Sequence, residues 1–339
     1  SAIAARSAHS LFPLRTAPET KTNILLSAFL LILTPLFPAD LNIVLSFTCT
    51  MTLSVFWYGV KGALSPCGVQ GQRPCVMSKK KEARIIDMIR SFLIACSFLT
   101  VLPVPRPDWT ERNTRFFSLA LPLVGFVLAA AWLAAFLLLS RWDASPLLRG
   151  VLMELVVLAL TGGLHRDGLM DACDAIFSRR DRETRLRILS DPHSGAFAVT
   201  GCVAVSLLQS AVFAELFARP WGVTPLVLLA AIPVWSRLGL GLLLNALPFA
   251  RDDGLARALG TARTPRHTAV LVLGAGAFAA ALAGLEGVRA LVLPAVWLAV
   301  LLLWGRCCTR GFGGIAGDLL GAFAELSETV MLLALAALR

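Results

Sequence analysis

Apolar runs of about 15 to 24 residues recur along almost the whole chain, separated by short charged links. Runs of this kind are typical of transmembrane helices, which need about 20 residues to cross the hydrocarbon core of a bilayer. Only 15% of the residues are charged and 57% are hydrophobic, whereas soluble domains carry about 25% charged residues. The sequence therefore predicts an all-α fold, a polytopic integral membrane bundle with about six to eight transmembrane helices in its main domain.

The candidate apolar segments after the basic stretch near residue 80 are uneven in length, and several are nearer to 15 residues than to 20. Two prolines, Pro103 and Pro105, close the first of them, which we therefore expect at the membrane interface rather than across it. The segments cover 90–105, 116–139, 150–164, 195–216, 224–244, 269–285, 290–304 and a C-terminal stretch that ends at Arg339.

Arginines concentrate in alternate links between these segments. The basic regions lie at 106–115, 179–187, 251–266 and 306–310, and the links between them carry little charge. Counting spans puts all four regions on one side, which the positive-inside rule assigns to the cytoplasm. We therefore expect a protein of the bacterial cytoplasmic (inner) membrane whose active face is cytoplasmic. The formal net charge of +10 then reflects membrane anchoring first, and nothing indicates nucleic-acid binding.

The first 76 residues differ from the rest. They contain two apolar stretches, 23–37 and 41–60, followed by a polar linker rich in proline, glycine and cysteine. The sequence MSKKKEAR, beginning at Met77, resembles a natural protein start. We therefore divide the chain into an N-terminal extension, 1–76, and a membrane-embedded domain, 77–339. The extension is either a fused fragment or upstream-start artefact, or a genuine two-helix module.

An acidic motif, GGLHRDGLMDACDA, follows the third segment of the main domain. Asp167, Asp171 and Asp174 are spaced i, i+4, i+7, which places them on one face of a helix, where they repel one another unless a cation or a proton intervenes. Carboxylate oxygens are preferred ligands of Mg²⁺, and Asp191, before the next segment, is a candidate fourth donor. The alternative is a solvated polar face. Carboxylates at the edge of a membrane span favour the functional interpretation.

A second acidic set opens the C-terminal segment. Asp318, Glu325 and Glu328 are spaced i, i+7, i+10 in GGIAGDLLGAFAELSE, again on roughly one helical face. Glycines such as Gly317 let backbone N–H groups approach an anion at a helix start. Small residues in membrane helices also allow close packing. The glycines alone therefore do not distinguish an anion-binding site from a packing contact.

Several cationic side chains are candidate partners for these acids or for a phosphate. Arg237 stands within an apolar segment, which favours pairing with a carboxylate or a phosphate, with snorkelling towards the membrane surface as the alternative. Arg179 and Arg180 open the basic link after the acidic motif, where they serve either an anion or the positive-inside bias. His165 is a candidate base or phosphate donor, and an orienting role is equally compatible with its position.

These residues together resemble the cobalamin synthase family. The resemblance covers about residues 84–339 and rests on motifs in the family's order and spacing: SFLTVLPVP (97–105), LPLVG (121–125), GGLHRDGLMDACDA (162–175), RDRETRLRILSDPHSGAF (180–197) and GGIAGDLLGAFAELSE (313–328). Two positions depart from the pattern. Ala175 replaces a usual glycine, and Ala316 replaces a threonine, which puts a phosphate or metal contact at that position in doubt.

The resemblance implies a Mg²⁺-dependent adenosylcobinamide-GDP ribazoletransferase reaction, which joins adenosylcobinamide-GDP to α-ribazole or its 5′-phosphate. A ribose hydroxyl attacks the cobinamide-side phosphorus of the diphosphate, and GMP leaves. The residues it implies are His165, Asp167 and Asp171 for catalysis, with His165 or a cluster aspartate as base; Asp167, Asp171, Asp174, Asp191 and Asp318 for Mg²⁺; and Arg179, Arg180, Arg237, Gly317, Glu325 and Glu328 for substrate.

Two other classes of membrane protein also combine apolar spans with acidic residues. A CDP-alcohol phosphotransferase would carry an arginine after its first acid pair, and GLMDACDA has none there. A transporter subunit is favoured by residues 1–76 and by Arg237 within a span, but it would place its charges near the midplane of a repeated fold. The lipid bilayer is one expected partner, and association with a second copy or with other enzymes of the cobalamin pathway stays open.

Overall fold

The computed structural model describes residues 79–220, 222–252, 254–260 and 263–338. The apolar stretches of residues 1–76 and the start at Met77 lie outside these ranges. Within them every regular element is a helix, and the only extended pairing is an isolated parallel bridge between Phe249 and Ile315. The predicted all-α class is therefore confirmed.

The helices are numbered here along the chain. They are α1 (Lys79–Leu99), α2 (Glu111–Thr114), α3 (Phe117–Ser140), α4 (Pro146–Leu160), α5 (Leu164–Phe177), α6 (Arg182–Ile188), α7 (Ala196–Phe217), α8 (Val223–Ala246), α9 (Leu255–Leu259), α10 (Pro265–Glu286), α11 (Val292–Phe312, preceded by the 3₁₀ turn Val288–Leu291) and α12 (Gly317–Ala337).

Six of the described helices are long and apolar enough to cross a membrane: α3, α7, α8, α10, α11 with its 3₁₀ turn, and α12. This confirms the polytopic membrane bundle. Helix α8 is the innermost, because nearly all of its residues from 226 to 244 are buried. Helix α1 is not among the six. Its polar groups instead tie it to the link before α3, where Ser91 donates to the carbonyl of Asn113 at 2.6 Å.

The third predicted segment, 150–164, is not one helix. Helix α4 ends at Leu160, and α5 begins at Leu164 after a bend of 93°. Gly162 and Gly163 form the bend with φ of +62° and +75°, the left-handed region that side chains with a Cβ disfavour. The sequence prediction was wrong here because hydropathy continues through the glycines while the backbone turns.

Contacts with α7 show that the bent pair runs from one end of the bundle to the other. Gly150, near the start of α4, lies against the backbone of Ala214, near the end of α7. Asp174, near the end of α5, accepts a hydrogen bond from the backbone N–H of Gly195, just before α7 begins. The pair therefore counts as one broken crossing, which makes seven candidate crossings in the described residues.

This path brings the basic links after α5, α8 and α11 to one end of the bundle, which we call the basic end. Arg182 donates from Nε to the carbonyl of Phe312 at 2.9 Å, and Arg251 donates to the carbonyl of Leu186. The C-terminus of α12 lies at the other end, where Arg219 reaches the carbonyl of Ala336 at 2.8 Å.

Candidate active site at the basic end

The acidic helix α5 packs directly on the start of α12. An added Cβ at Gly168 would stand 2.7 Å from the carbonyl oxygen of Asp318, so the two backbones meet with no side chain between them. Further along, Gly321 faces the backbone of His165. Two glycines thus bring the motif GGLHRDGLMDACDA against the motif GGIAGDLLG.

The carboxylates of Asp167, Asp171 and Asp318 lie near one another at this contact. Asp171 lies within electrostatic range of Asp167, Asp174 and Asp318. Among the residues that the structure describes, Asp167 and Asp171 have no ion-pair or hydrogen-bond partner for their side chains. Asp318 has Arg251 as a neighbouring cation, although the two form no direct salt bridge. Negative charge is therefore poorly compensated on this face, which fits a cationic ligand.

The predicted metal ligands do not form a complete cage. Within the described ranges, no three His, Cys, Asp or Glu side chains converge closely enough to hold a metal ion by themselves. Mg²⁺ is commonly bound by only one or two carboxylates together with water and substrate phosphates. The donor chemistry of Asp167, Asp171 and Asp318 fits such an ion, provided that a phosphorylated substrate supplies further oxygens.

Asp174, near the end of α5, caps the next helix. Its carboxylate accepts hydrogen bonds from the backbone N–H of Gly195 at 2.6 Å and of Ala198 at 2.9 Å. Helix α7 begins with glycine at its N-cap and has no cap of its own, so Asp174 supplies one from a distant part of the chain. Its predicted metal role stays a prediction, and this structural role was missed because the partner lies 21 residues away.

Asp191 lies in the exposed loop before α7. Its carboxylate accepts hydrogen bonds from the backbone N–H of His193 at 3.0 Å and pairs with the ring of the same residue at 2.7 Å. These hydrogen bonds lower the pKa of Asp191 below its ordinary value. The structure does not bring Asp191 to the cavity described below, and its role as a metal ligand stays a prediction.

A cavity of about 190 Å³ opens beside the carboxylates. One wall carries Asp167 and Asp318, and Arg251 and Arg257 line the same space. Gly317 lines it as well, and a Cβ added there would meet nothing within 4 Å. The apolar part of the lining includes Phe98, Leu99, Phe117, Leu121, Leu240, Leu244 and Phe249.

His165 is one of the residues that line the cavity. The residue is only 4% exposed, and its Nε2 has no hydrogen-bond partner. A buried polar atom without a partner is unusual in a native fold. Because His165 lines the cavity, a bound ligand is the candidate partner for this atom.

Arg251 reaches the cavity because two loops pair. The N–H of Ile315 donates to the carbonyl of Pro248 at 2.8 Å, and the N–H of Ala250 donates to the carbonyl of Ile315 at 2.8 Å. Gly313, with φ of +76°, makes the turn that leads into this pairing. The sequence analysis missed Arg251 and Arg257 as site residues, since the only signal was their place in a basic link.

The predicted arginines of the link after α5 lie elsewhere. Arg179 and Arg180 are exposed and do not line the cavity. Arg179 adopts φ of 55°, an uncommon backbone conformation for a residue with a side chain. Their assignment to substrate binding stays a prediction.

The remaining predicted residues lie deeper in the bundle. Arg237, only 1% exposed, forms an ion pair with Glu328, which is the carboxylate partner that its apolar setting predicted. Glu325 pairs with Arg166 at 2.9 Å. These glutamates stand about 12 to 17 Å along α12 from its first residue, at 1.5 Å per residue. Their contribution to substrate binding stays a prediction.

The fold and this cavity together define an integral membrane enzyme whose polar site opens at the basic end of an apolar bundle. The family model for cobalamin-5-phosphate synthase matches residues 91–336, and the chain belongs to that family. Curated relatives named adenosylcobinamide-GDP ribazoletransferase come from Shigella boydii serotype 4 (strain Sb227), 38% identical over 254 residues, and from Escherichia coli (strain K12), 37% identical over 253 residues. Each alignment covers 73% of this chain and 100% of the relative. No solved structure matches the chain.

Proposed function

We propose that this chain is a Mg²⁺-dependent adenosylcobinamide-GDP ribazoletransferase. It transfers the cobinamide phosphate of adenosylcobinamide-GDP to α-ribazole or α-ribazole 5′-phosphate and releases GMP. The observation that carries the proposal is the cavity in which Asp167 and Asp318 stand with Arg251 and Arg257. A diphosphate needs both kinds of group, arginines for its oxygens and carboxylates for the cation that accompanies it.

The residues of the cluster fit Mg²⁺ as hard oxygen donors, and no cationic side chain of the described ranges is bound directly to them. Asp167 and Asp318 would hold the ion, with Asp171 beside them. When bound, Mg²⁺ supplies electrostatic stabilisation of the charge that develops on the diphosphate. The arginines on the cavity wall bind the diphosphate and orient it, and guanidinium groups suit that task because they form paired hydrogen bonds to phosphate.

His165 is the proposed proton acceptor. His165 lines the cavity and its Nε2 has no hydrogen-bond partner, so in this proposal Nε2 accepts the proton of the attacking ribose hydroxyl. The hydroxyl oxygen forms a bond to the cobinamide-side phosphorus. The bond from that phosphorus to the bridging oxygen breaks, and GMP leaves with the electron pair.

The size of the cavity indicates which part of the substrate enters it. A volume of about 190 Å³ is below the range of about 300 to 1,000 Å³ that is common for small-molecule sites. The diphosphate and the reacting hydroxyl occupy this space, while the corrin ring remains outside. We place the cavity on the cytoplasmic side of the bacterial inner membrane, because the basic links after α5, α8 and α11 lie at the same end of the bundle as the cavity.

The family match favours this reaction over a CDP-alcohol phosphotransferase and over a transporter subunit. The broken helix α4–α5 is a feature found in transporters. Here, however, the carboxylates that lack cationic partners lie near the basic end rather than at the middle of the bundle.

The proposal is tested with purified protein in lipid vesicles, supplied with adenosylcobinamide-GDP, α-ribazole and Mg²⁺, by following the release of GMP. We expect release that requires both substrates and Mg²⁺. Asp167→Asn should abolish turnover in folded protein, whereas Asp143→Asn, an exposed change between α3 and α4, should not. Metal-independent release, or full activity of Asp167→Asn, would contradict the proposal.

A further inference from the structure

Arg166 carries the most heavily bonded side chain in the described interior, although the cavity does not include it. It lies in the first turn of α5 between His165 and Asp167 and is 4% exposed. Nη2 contacts carboxylate or amide oxygens of three residues, and Nη1 donates to a hydroxyl and a carbonyl. These contacts are Glu154 at 2.8 Å, Glu325 at 2.9 Å and Gln209 at 3.0 Å, together with Ser206 and the carbonyl of Cys202 at 3.5 Å.

The partners of this guanidinium belong to three other helices. Glu154 lies on α4, Gln209 on α7 and Glu325 on α12. Gln209 extends the network by donating to Glu325 at 3.3 Å and to Thr329 at 2.7 Å. Buried charges in a membrane bundle are costly unless they are paired, and such groups commonly mark function. One side chain therefore joins α5 to α4, α7 and α12.

The network anchors the start of helix α5, where the chain enters the helix through a turn of two glycines. The two left-handed glycines before it, Gly162 and Gly163, form a turn without side chains. At Gly168 the contact with α12 is made by backbone and sets how closely the two helices approach, whereas the ion pair of Arg166 with Glu325 adds a side-chain contact further along α12. The cap from Asp174 to α7 fixes the far end of α5, and Arg166 fixes the near end.

We propose that Arg166 is a positioning residue for the reaction, which sets α5 along α12 so that His165 and Asp167 face the same cavity as Asp318. Arg166 itself does not contact substrate. The expected effect on catalysis rests on the proposed function. The expected effect on the position of α5 rests only on the contacts of Arg166.

The test compares Arg166→Lys with the wild type and with Arg219→Lys, all in lipid vesicles. Arg219 also bonds a carboxylate and a backbone carbonyl, but at the opposite end of the bundle. A lysine at position 166 keeps the charge but cannot reach several acceptors in one plane. Since a displacement of about 1 Å can cost about 100-fold in rate, we expect kcat to fall at least about 10-fold. The Mg²⁺ concentration for half-maximal rate should rise, and KM for α-ribazole should change little.

A second readout does not depend on activity. Hydrogen–deuterium exchange of peptides from α5 and from the first turn of α12 should increase in Arg166→Lys, while exchange in α8 and α10 stays unchanged. Arg219→Lys should alter neither the exchange of α5 nor the Mg²⁺ dependence. If Arg166→Lys does not fold, Gln209→Met takes its place, with the same changes expected at smaller size, about three-fold in kcat.

The outcomes separate the two proposals. Unchanged exchange in α5 overturns the positioning role, whatever happens to the rate. The positioning role is also overturned if kcat falls only in proportion to the fraction of folded protein and the Mg²⁺ dependence does not change. A residue with a purely structural role would give that result. If the wild type releases no GMP, the proposed function fails, and the exchange of α5 still decides whether Arg166 positions the helix.

Discussion

Gly168→Ala is the substitution that most directly probes the contact between the two acidic motifs. The added Cβ would stand 2.7 Å from the carbonyl oxygen and 3.0 Å from the Cα of Asp318, where ordinary contact begins at 3.4 Å. Both atoms belong to the backbone, so no side chain can rotate away. Helices α5 and α12 must therefore separate by about 0.7 Å at this point.

The separation has a cost in both stability and rate. Overpacking by one methyl group in a well-packed interior costs about 1 to 3 kcal/mol. A separation of about 0.7 Å between the helices at Gly168, next to Asp167, approaches the scale of about 1 Å at which catalysis can lose about 100-fold. We expect kcat for GMP release to fall about 10- to 100-fold, with a lower midpoint of thermal unfolding.

The matched control is Gly276→Ala. An added Cβ at Gly276, on α10, meets nothing within 4 Å, and alanine is the better helix former. This variant should keep the wild-type kcat and unfold at the same temperature or higher. Rates are measured in the same vesicles at saturating substrate and Mg²⁺. A wild-type kcat for Gly168→Ala would refute the claim that the backbone contact between α5 and α12 sets the site.

Three further outcomes are expected. Gly163→Ala should lower the free energy of unfolding by about 1 to 2 kcal/mol, because the residue adopts φ of +75°. Thermal unfolding in detergent measures this change, and an unchanged midpoint would show that the bend does not require glycine. Removal of divalent ions with a chelator should stop GMP release, and Mg²⁺ should restore it in the wild type but not in Asp318→Asn; activity that survives chelation would count against the metal site. A chain beginning at Met77 should keep its activity, since the family match starts at residue 91; loss of activity in folded protein would make residues 1–76 part of the enzyme.

The membrane fold could be predicted from sequence because apolar runs directly report burial in lipid. The bend between α4 and α5 could not be predicted in this way, because hydropathy carries no information on backbone dihedral angles. The pair Gly162–Gly163 was visible in the motif, but only the structure shows that both residues have positive φ. The same holds for Gly168, whose lack of a side chain matters because Asp318 lies against it.

The candidate site was predictable where chemistry is local and not where it depends on distant partners. The helical face shared by Asp167 and Asp171 follows from spacing alone. The partners of Arg166 lie 12, 43 and 159 residues away along the chain, so no pattern within one segment indicates them. Arg251 likewise joins the site only through the backbone pairing of Ala250 with Ile315.

In the proposed reaction, the protein transfers the cobinamide phosphate to α-ribazole and releases GMP. This reaction is tested most directly with adenosylcobinamide-GDP that carries ³²P only at the cobinamide-side phosphorus. With α-ribazole and Mg²⁺, all transferred label should appear in the corrinoid product, and the released guanine nucleotide should be unlabelled GMP. Label in the released nucleotide, or no turnover by folded protein, would contradict the account.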